Sequence, residues 1–272
     1  MWKLTVAQTI SSAELDTNLQ TMRRFCDQAK AEGARAIAFA EMAYFTGSAL
    51  ENRRMADRFD SLCETFSAWA RELQLYILPG SLRSLSGGTK SGKCFNHAVV
   101  FDPLGKRIAD YRKIFLFKAN LSDRRYDESE LYDPGDSLTV LDIEGVRVGV
   151  AICFDLRFPE MFRALRKRGA EVIFVPSAFT VPTGKAHWEI LLKARAIENQ
   201  CFIVAPSLTG VSGDGAGKYG HSLVIDPWGQ SLIDLGSAAV AQTVSLDFKQ
   251  ISEVQAKIDA LASLRPDLFP IA

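Results

Sequence analysis

The 272-residue chain has no surplus of charge of either sign: 32 Lys and Arg stand against 32 Asp and Glu, a formal net charge of +0. Nucleic acids and anionic membrane surfaces are bound by neutralising phosphates and headgroups, which needs a positive excess, so both partner classes are set aside. Long hydrophobic runs are also missing. The most apolar stretch, Val146 to Phe154, carries Arg147 and falls well short of the roughly 20 residues that span a bilayer. The opening M-W-K-L-T-V-A-Q has neither the apolar core nor the small-residue cleavage site of a signal peptide, which points to a cytoplasmic protein. Histidine is scarce, and His97, His187 and His221 are too dispersed to suggest a zinc site; no metal is expected. Cys26, Cys63, Cys94, Cys153 and Cys201 form no Cys-x-x-Cys pair and are expected to be reduced thiols. No repeat, low-complexity block or Pro/Ser-rich linker divides the chain, so one domain over 1–272 is expected, with a C-terminal tail from about 263 to 272.

What is present is a core to bury: 47% hydrophobic residues against 24% charged. Strands are expected at 2–8, 35–40, 75–81, 94–102, 107–112, 145–152, 171–176, 201–206, 221–226 and 239–246. A helix is expected at 15–30, where Leu15, Leu19, Met22, Cys26 and Ala29 recur at three- and four-residue spacing. Others are expected at 53–73, 157–168, 186–199 and 248–262. The D-P-L-G turn at 102–105 joins two strands, and D-P-W-G at 226–229 lies between two more. Strands alternating with helices imply an α/β fold, and the late paired strands make its sheet mixed.

Several motifs fail on context. G-G-T-K-S-G-K at 87–93 nearly matches a phosphate-binding loop, but Cys94 replaces the magnesium-binding hydroxyl and a strand follows instead of a helix. A hairpin loop is the better reading. G-D-G-A-G at 213–217 is also followed by a strand. His187 and His221 are open to two readings, a partner for a nucleophilic cysteine or a residue that orders a loop.

Cys153 stands apart from the other cysteines, which are expected to be inert. It lies where the buried strand G-V-R-V-G-V-A-I gives way to a helix, near backbone N–H groups that are expected to lower a thiol's pKa. That junction falls at the carboxyl edge of the sheet, where open α/β folds gather their ligand sites. Glu41 directly follows the apolar strand 35–40, and a carboxylate there is costly to bury without a partner or a task. Lys113 closes the strand I-A-D-Y-R-K. Together they would supply a nucleophile, a proton carrier and a fixed positive charge. Each also has an ordinary reading: surface salt bridges for Glu41 and Lys113, packing for Cys153. Spacing alone does not bring them together.

Three segments carry a resemblance. F-A-E-M at 39–42, Y-R-K-I-F-L-F at 111–117 and A-I-C-F-D-L-R-F-P-E at 151–160 resemble the glutamate, lysine and cysteine motifs of the nitrilase superfamily of carbon–nitrogen hydrolases. The likeness runs from Val6 to about Phe269. Segments 183–200, 219–229 and R-P-D-L-F at 265–269 resemble the deaminated-glutathione amidase branch, with the omega-amidases as nearest neighbours. Y-D-E-S at 126–129 is similar to a second-glutamate motif and points to Glu128, with Glu130 as the fallback. C-F-D-L-R looks like the amide-hydrolysing branches and not the C-W-E of nitrilases.

The resemblance implies an α-β-β-α sandwich with mixed sheets, assembled as a homodimer or higher homo-oligomer. It implies hydrolysis of the terminal amide of a small carboxylate-bearing substrate, of the deaminated glutathione or 2-oxoglutaramate type, to acid and ammonia. Cys153 would attack, Glu41 would carry the proton, Glu128 would position substrate and lysine, and no metal or organic cofactor would be needed. Lys113 and the Phe154 N–H would hold the oxyanion. An acidic substrate needs a cation. Lys118, Arg124 and Arg125 are candidates from the basic loop 118–127, and Arg157 and Phe179 are also expected to line the substrate site. Arg157 has a second reading, as a brace to Asp155 or Glu160. The competing functions are an N-carbamoyl amino acid hydrolase with the same three residues, a Cys/His hydrolase, and a binding module, which would need a damaged catalytic set.

Overall fold

In the computed structural model, residues 1–86, 92–121, 125–265 and 267–268 are described. The first half runs β1 (Trp2–Ala7), α1 (Leu15–Ala31), β2 (Ala36–Phe39), α2 (Ala49–Arg54), α3 (Phe59–Leu73), β3 (Tyr76–Leu78), β4 (Leu82–Leu85), β5 (Cys94–Phe101) and β6 (Arg107–Arg112). A short hairpin of β7 (Lys118–Asn120) and β8 (Arg125–Asp127) follows. The second half runs β9 (Thr139–Ile143), β10 (Val146–Val150), α4 (Pro159–Lys167), β11 (Val172–Phe174), α5 (Val181–Asn199) and β12 (Phe202–Ala205). Then come β13 (Thr209–Val211), β14 (Gly217–Tyr219), β15 (Leu223–Ile225), β16 (Ser231–Asp234), β17 (Ala241–Leu246) and α6 (Lys249–Lys257).

Two helical crossovers build each half, because parallel neighbours need a long connection. β1, β2 and β3 pair in parallel through α1 and α3, and β10, β11 and β12 do so through α4 and α5. Antiparallel strands complete both sheets. The first has the order β17-β1-β2-β3-β5-β4 with β6 also on β5; the second has β16-β15-β12-β11-β10-β9.

Side-chain alternation shows how they stack. Leu4, Val6, Ala36, Ala38, Ala98 and Val100 share a core with the second sheet, whereas Ile37, Phe39, Ile77, Val99 and Phe101 join α1 and α3 in another. Trp188 and Leu192 of α5, with Phe162 and Leu165 of α4, cover the second sheet's outer face. The layers are therefore α-β-β-α, as the resemblance implied. No helix among the described residues is long and apolar enough to cross a membrane.

The boundaries differ from expectation for local reasons. The helix expected at 53–73 is split: Ser48 and Glu51 form a capping box that starts α2 at 49, and a 3-10 turn at 55–58 separates it from α3. The expected helix at 157–168 becomes a 3-10 turn, Cys153–Arg157, an extended Phe158, and α4 with Pro159 in its first turn. α5 begins at 181, five residues ahead of the expected 186, again with proline in the first turn. The last helix ends at Lys257, where Ile258 turns extended. Six strands escaped expectation between or beside the expected ones: β4, β7, β8, β9, β13 and β14. So did β16: the D-P-W-G turn joins β15 to β16, while β17 crosses to pair with β1 in the other sheet. β4 and β5 do pair as a hairpin, but residues 87–91 of the loop between them, which hold most of G-G-T-K-S-G-K, lie outside the described residues.

One glycine governs the strand ends. Gly80, just past β3, has φ +84°, and a Cβ there would meet the Ala40 carbonyl oxygen at 1.8 Å, immediately before Glu41. Gly80→Ala is expected to destabilise the fold by about 1–3 kcal/mol through left-handed strain and displaced backbone. Urea unfolding measures this, and an unchanged midpoint would contradict the close approach.

Candidate active site

Three strand ends converge at one cavity. Glu41 leaves the end of β2, and its backbone bridges to Ser81 past β3. Its neighbour Met42 adopts φ 55°, and Ser11 Oγ donates to the Met42 carbonyl at 2.8 Å, fixing the turn. Lys113 leaves β6 with its N–H on the Asn96 carbonyl and its own carbonyl on Gly135 N, both at 2.8 Å. Cys153 leaves the β10 end at φ 47°, its N–H donating to Pro176 O at 3.0 Å. Left-handed backbone at non-glycine residues stores strain of order 1–3 kcal/mol each, and here it sits at the nucleophile and beside the glutamate.

Lys113 is the hub. Its buried Nζ lies 3.0 Å from Glu41 Oε1 and 2.8 Å from Glu128 Oε2. Asn96 Nδ2 donates to the same Glu41 oxygen at 2.7 Å. Glu128 also accepts the Phe117 N–H at 2.7 Å, which ties the β7–β8 hairpin to the lysine. The Cys153 thiol lies close enough to the Glu41 carboxylate to favour its charged form. The surface salt-bridge reading of Glu41 and Lys113 is thereby removed, since both are buried.

The cysteine turn is braced by Asp155. It accepts from Tyr111 Oη at 2.6 Å, Ile152 N at 2.8 Å and Phe115 N at 3.0 Å. Burial pushes its carboxyl up to about 6. One side chain thus joins the cysteine turn to the lysine loop.

This geometry agrees with the comparisons. The carbon–nitrogen hydrolase family profile matches residues 3–256. The chain belongs to the carbon–nitrogen hydrolase family. A deaminated glutathione amidase from Synechocystis sp. is 35% identical over 259 residues, covering 93% of this chain and 94% of the other. Omega-amidase NIT2 from Homo sapiens is 31% identical over 264 residues, covering 96% and 94%. The crystal structure of the C. elegans NitFhit protein superposes with a TM-score of 0.93 at 31% identity. It covers 99% of this chain, which spans only 66% of that protein's length. The segment 265–269 lies beyond the matched region, and Pro266 and Phe269 lie outside the described residues.

In this carbon–nitrogen hydrolase the thiol is not pre-activated. The short turn was expected to lower the Cys153 pKa; burial and the adjoining Glu41 charge push it well above the usual thiol value instead, outweighing Lys113 and the Ala178 N–H. Burial works against Glu41 as well, but the Lys113 ammonium holds its carboxyl below the usual range. Burial and the Glu41 charge raise Glu128, while the two glutamates raise Lys113 against its own burial. The resting pair is therefore a protonated thiol beside a carboxylate.

The cavity, ≈ 620 Å³, is lined by Glu41, Glu128, Cys153, Phe154, Arg157 and Phe179 among others. Phe154 packs edge-on to Phe117 at 5.2 Å, and its N–H lies in the first turn of the 3-10 segment, where donors lack acceptors within the turn. Arg157 braces neither Asp155 nor Glu160. It lies 5.7 Å from the Phe154 and Phe179 rings and reaches His187 Nδ1 at 3.4 Å. Glu130 is exposed at the rim on Arg125, so Glu128 is the glutamate on the lysine. Arg125 and Lys118 are exposed, and both lie on Asp127, which offsets the basic loop. Arg124 lies outside the described residues. His187 and His221 do not line the cavity, and His221 bonds Asp234 at 3.0 Å. Cys26, Cys94 and Cys201 are buried, and Cys63 is half-buried.

Sequence reasoning missed Asn96 and Arg83. Asn96 lies in F-N-H-A-V-V-F and Arg83 in S-L-R-S-L, where a polar residue reads as the solvent side of a strand. The charge inside a strand at Arg83 was the available signal.

Iodoacetamide should report the state of the thiol. The Cys153-dependent alkylation rate is expected to rise through pH 9 without a plateau. Glu41→Gln should move its midpoint down by removing the adjoining charge. A wild-type midpoint below pH 9 would contradict the raised pKa.

Proposed function

We propose that the protein hydrolyses an amide of a small carboxylate-bearing substrate through a thioester on Cys153. Amides of the 2-oxoglutaramate or deaminated glutathione type are the substrate class, the second suggested by the amidase relatives. The observation that supports this most is the Glu41–Lys113–Glu128 ion cluster beside Cys153 in a cavity large enough for such a molecule. The five unpaired cysteines fit a reducing, cytoplasmic setting.

In this reading each group has a defined part. Glu41 accepts the thiol proton as sulfur bonds to the amide carbon, so the thiolate forms only with substrate present. Lys113 and the Phe154 N–H face the developing oxyanion, whose stabilisation is usually the largest electrostatic contribution. Collapse of the adduct breaks the carbon–nitrogen bond, and Glu41 returns its proton to the departing nitrogen. Glu41 then takes a proton from water as the hydroxide attacks the thioester, freeing the acid and restoring the thiol. Glu128 holds Lys113 in place and contributes no proton to this sequence.

Ammonia is the expected co-product only for a primary amide; deaminated glutathione has a secondary amide and would release an amine instead. Product release from three compounds therefore tests the reading: ammonia from 2-oxoglutaramate, ammonia from an N-carbamoyl amino acid, and the free amine from deaminated glutathione. Hydrolysis of at least one of the two amides is expected, with Cys153→Ala slower by at least about 10⁴-fold. Carbon dioxide and ammonia from the N-carbamoyl compound alone would replace the amidase reading. Activity that survives Cys153→Ala would remove the thioester.

A further inference from the structure

Arg83 is the most deeply buried guanidinium at the cavity, 3% exposed. A buried guanidinium stays charged, and proteins ordinarily offset such a charge with a carboxylate. Arg83 has none among the described residues. Its Nε donates to Tyr132 Oη at 2.9 Å; its Nη1 donates to the Phe45 carbonyl at 3.0 Å and to Tyr44 Oη at 3.3 Å. These partners are neutral, and Nη2 has no acceptor among the described residues.

Its place in the sheet puts that charge beside the reacting groups. Arg83 of β4 pairs directly with Asn96 of β5, and Asn96 holds Glu41. Directly opposed residues of an antiparallel pair share a face, with Cβ atoms about 4.5–5.5 Å apart. Arg83 therefore lies one strand away from the residue that holds the proton carrier. Tyr44, Tyr132 and the Phe45 carbonyl fix the guanidinium plane before any ligand arrives, which lowers the cost of ordering it on binding.

We propose that Arg83 is the specificity-determining residue of the site and binds the carboxylate at the far end of the substrate's acyl chain. The free edge of a held guanidinium suits a carboxylate, which accepts two parallel hydrogen bonds. The other cations fit less well: Arg125 and Lys118 are exposed and already paired, Lys218 lies on Asp214, Arg53 donates to the Gly92 carbonyl, and Arg157 is spread across two aromatic rings. The assignment rests on the amidase reading for its substrate, but the anion site stands without turnover.

Two five-carbon amides isolate the charge: glutaramate, with a carboxylate at the far end, and pentanamide, with a methyl group there. Wild type is expected to favour glutaramate in kcat/KM by at least about 100-fold. Arg83→Met should remove about 100-fold from glutaramate, mostly in KM, and less than fivefold from pentanamide. Calorimetry with glutarate on the Cys153→Ala protein, with and without Arg83→Met, reads the anion site directly; about 100-fold weaker binding is expected. If Arg83→Met does not fold, Arg83→Lys carries the test, with glutarate about tenfold weaker because the two-donor edge is lost. Equal losses on both amides in a folded variant would make Arg83 a structural residue only and overturn the proposal. Unchanged glutarate affinity would do the same. Glutarate binding that depends on Arg83, with neither amide hydrolysed, would sink the amidase reading and leave the anion site standing.

Discussion

One buried ammonium group organises the site. Lys113 Nζ sits between Glu41 and Glu128, and neither carboxylate could stay ionised at that depth without it. Removing one partner from such a buried pair costs about 3–5 kcal/mol, because the other charge is left uncompensated. The arrangement is stable only when complete. Asn96 and the Phe117 N–H donate to the same carboxylate oxygens as the lysine, which leaves Glu41 and Glu128 little freedom to turn away.

The layers explain how three residues 72 and 40 positions apart (41 to 113, 113 to 153) arrive together. Two parallel strand sets, each with helices outside, bring their carboxyl ends to one rim, and the strands β5 and β6 carry Lys113 to it. Asp155 then ties the cysteine turn to Tyr111 and Phe115 on either side of the lysine. Two of the left-handed non-glycine residues, Met42 and Cys153, sit at this rim, and Gly80 lets the Ala40 carbonyl approach. Rigid sheets hold these conformations in place. The same burial that positions the thiol also keeps it protonated, so the account requires Glu41 to act during the attack and not before it.

Much of this was legible in the residues. The strand-end positions of Glu41, Lys113 and Cys153 followed from apolar runs that stop abruptly, and Glu128 only from the resemblance of Y-D-E-S to the family's second-glutamate motif. Their distances did not, because spacing along the chain carries no information on which strand ends meet. The thiol pKa was misread because a short turn suggests donors, whereas burial and the Glu41 charge only become visible once the sheets are stacked. β7 and β8 are three residues each, too short for alternation to show, and they carry the loop whose charges Asp127 offsets. Arg83 lies beyond the strand expected at 75–81, and in the strand it joins a polar residue would ordinarily face water. Both faces of this sheet are covered, so that face is a cavity wall.

Acid-quenched mass spectrometry during turnover tests the central claim most directly. With 2-oxoglutaramate or glutaramate, the account predicts an acyl adduct on the peptide carrying Cys153, adding the mass of the substrate less ammonia and lost on treatment with hydroxylamine. Turnover with no adduct, or an adduct on Cys63 or another cysteine, would contradict it.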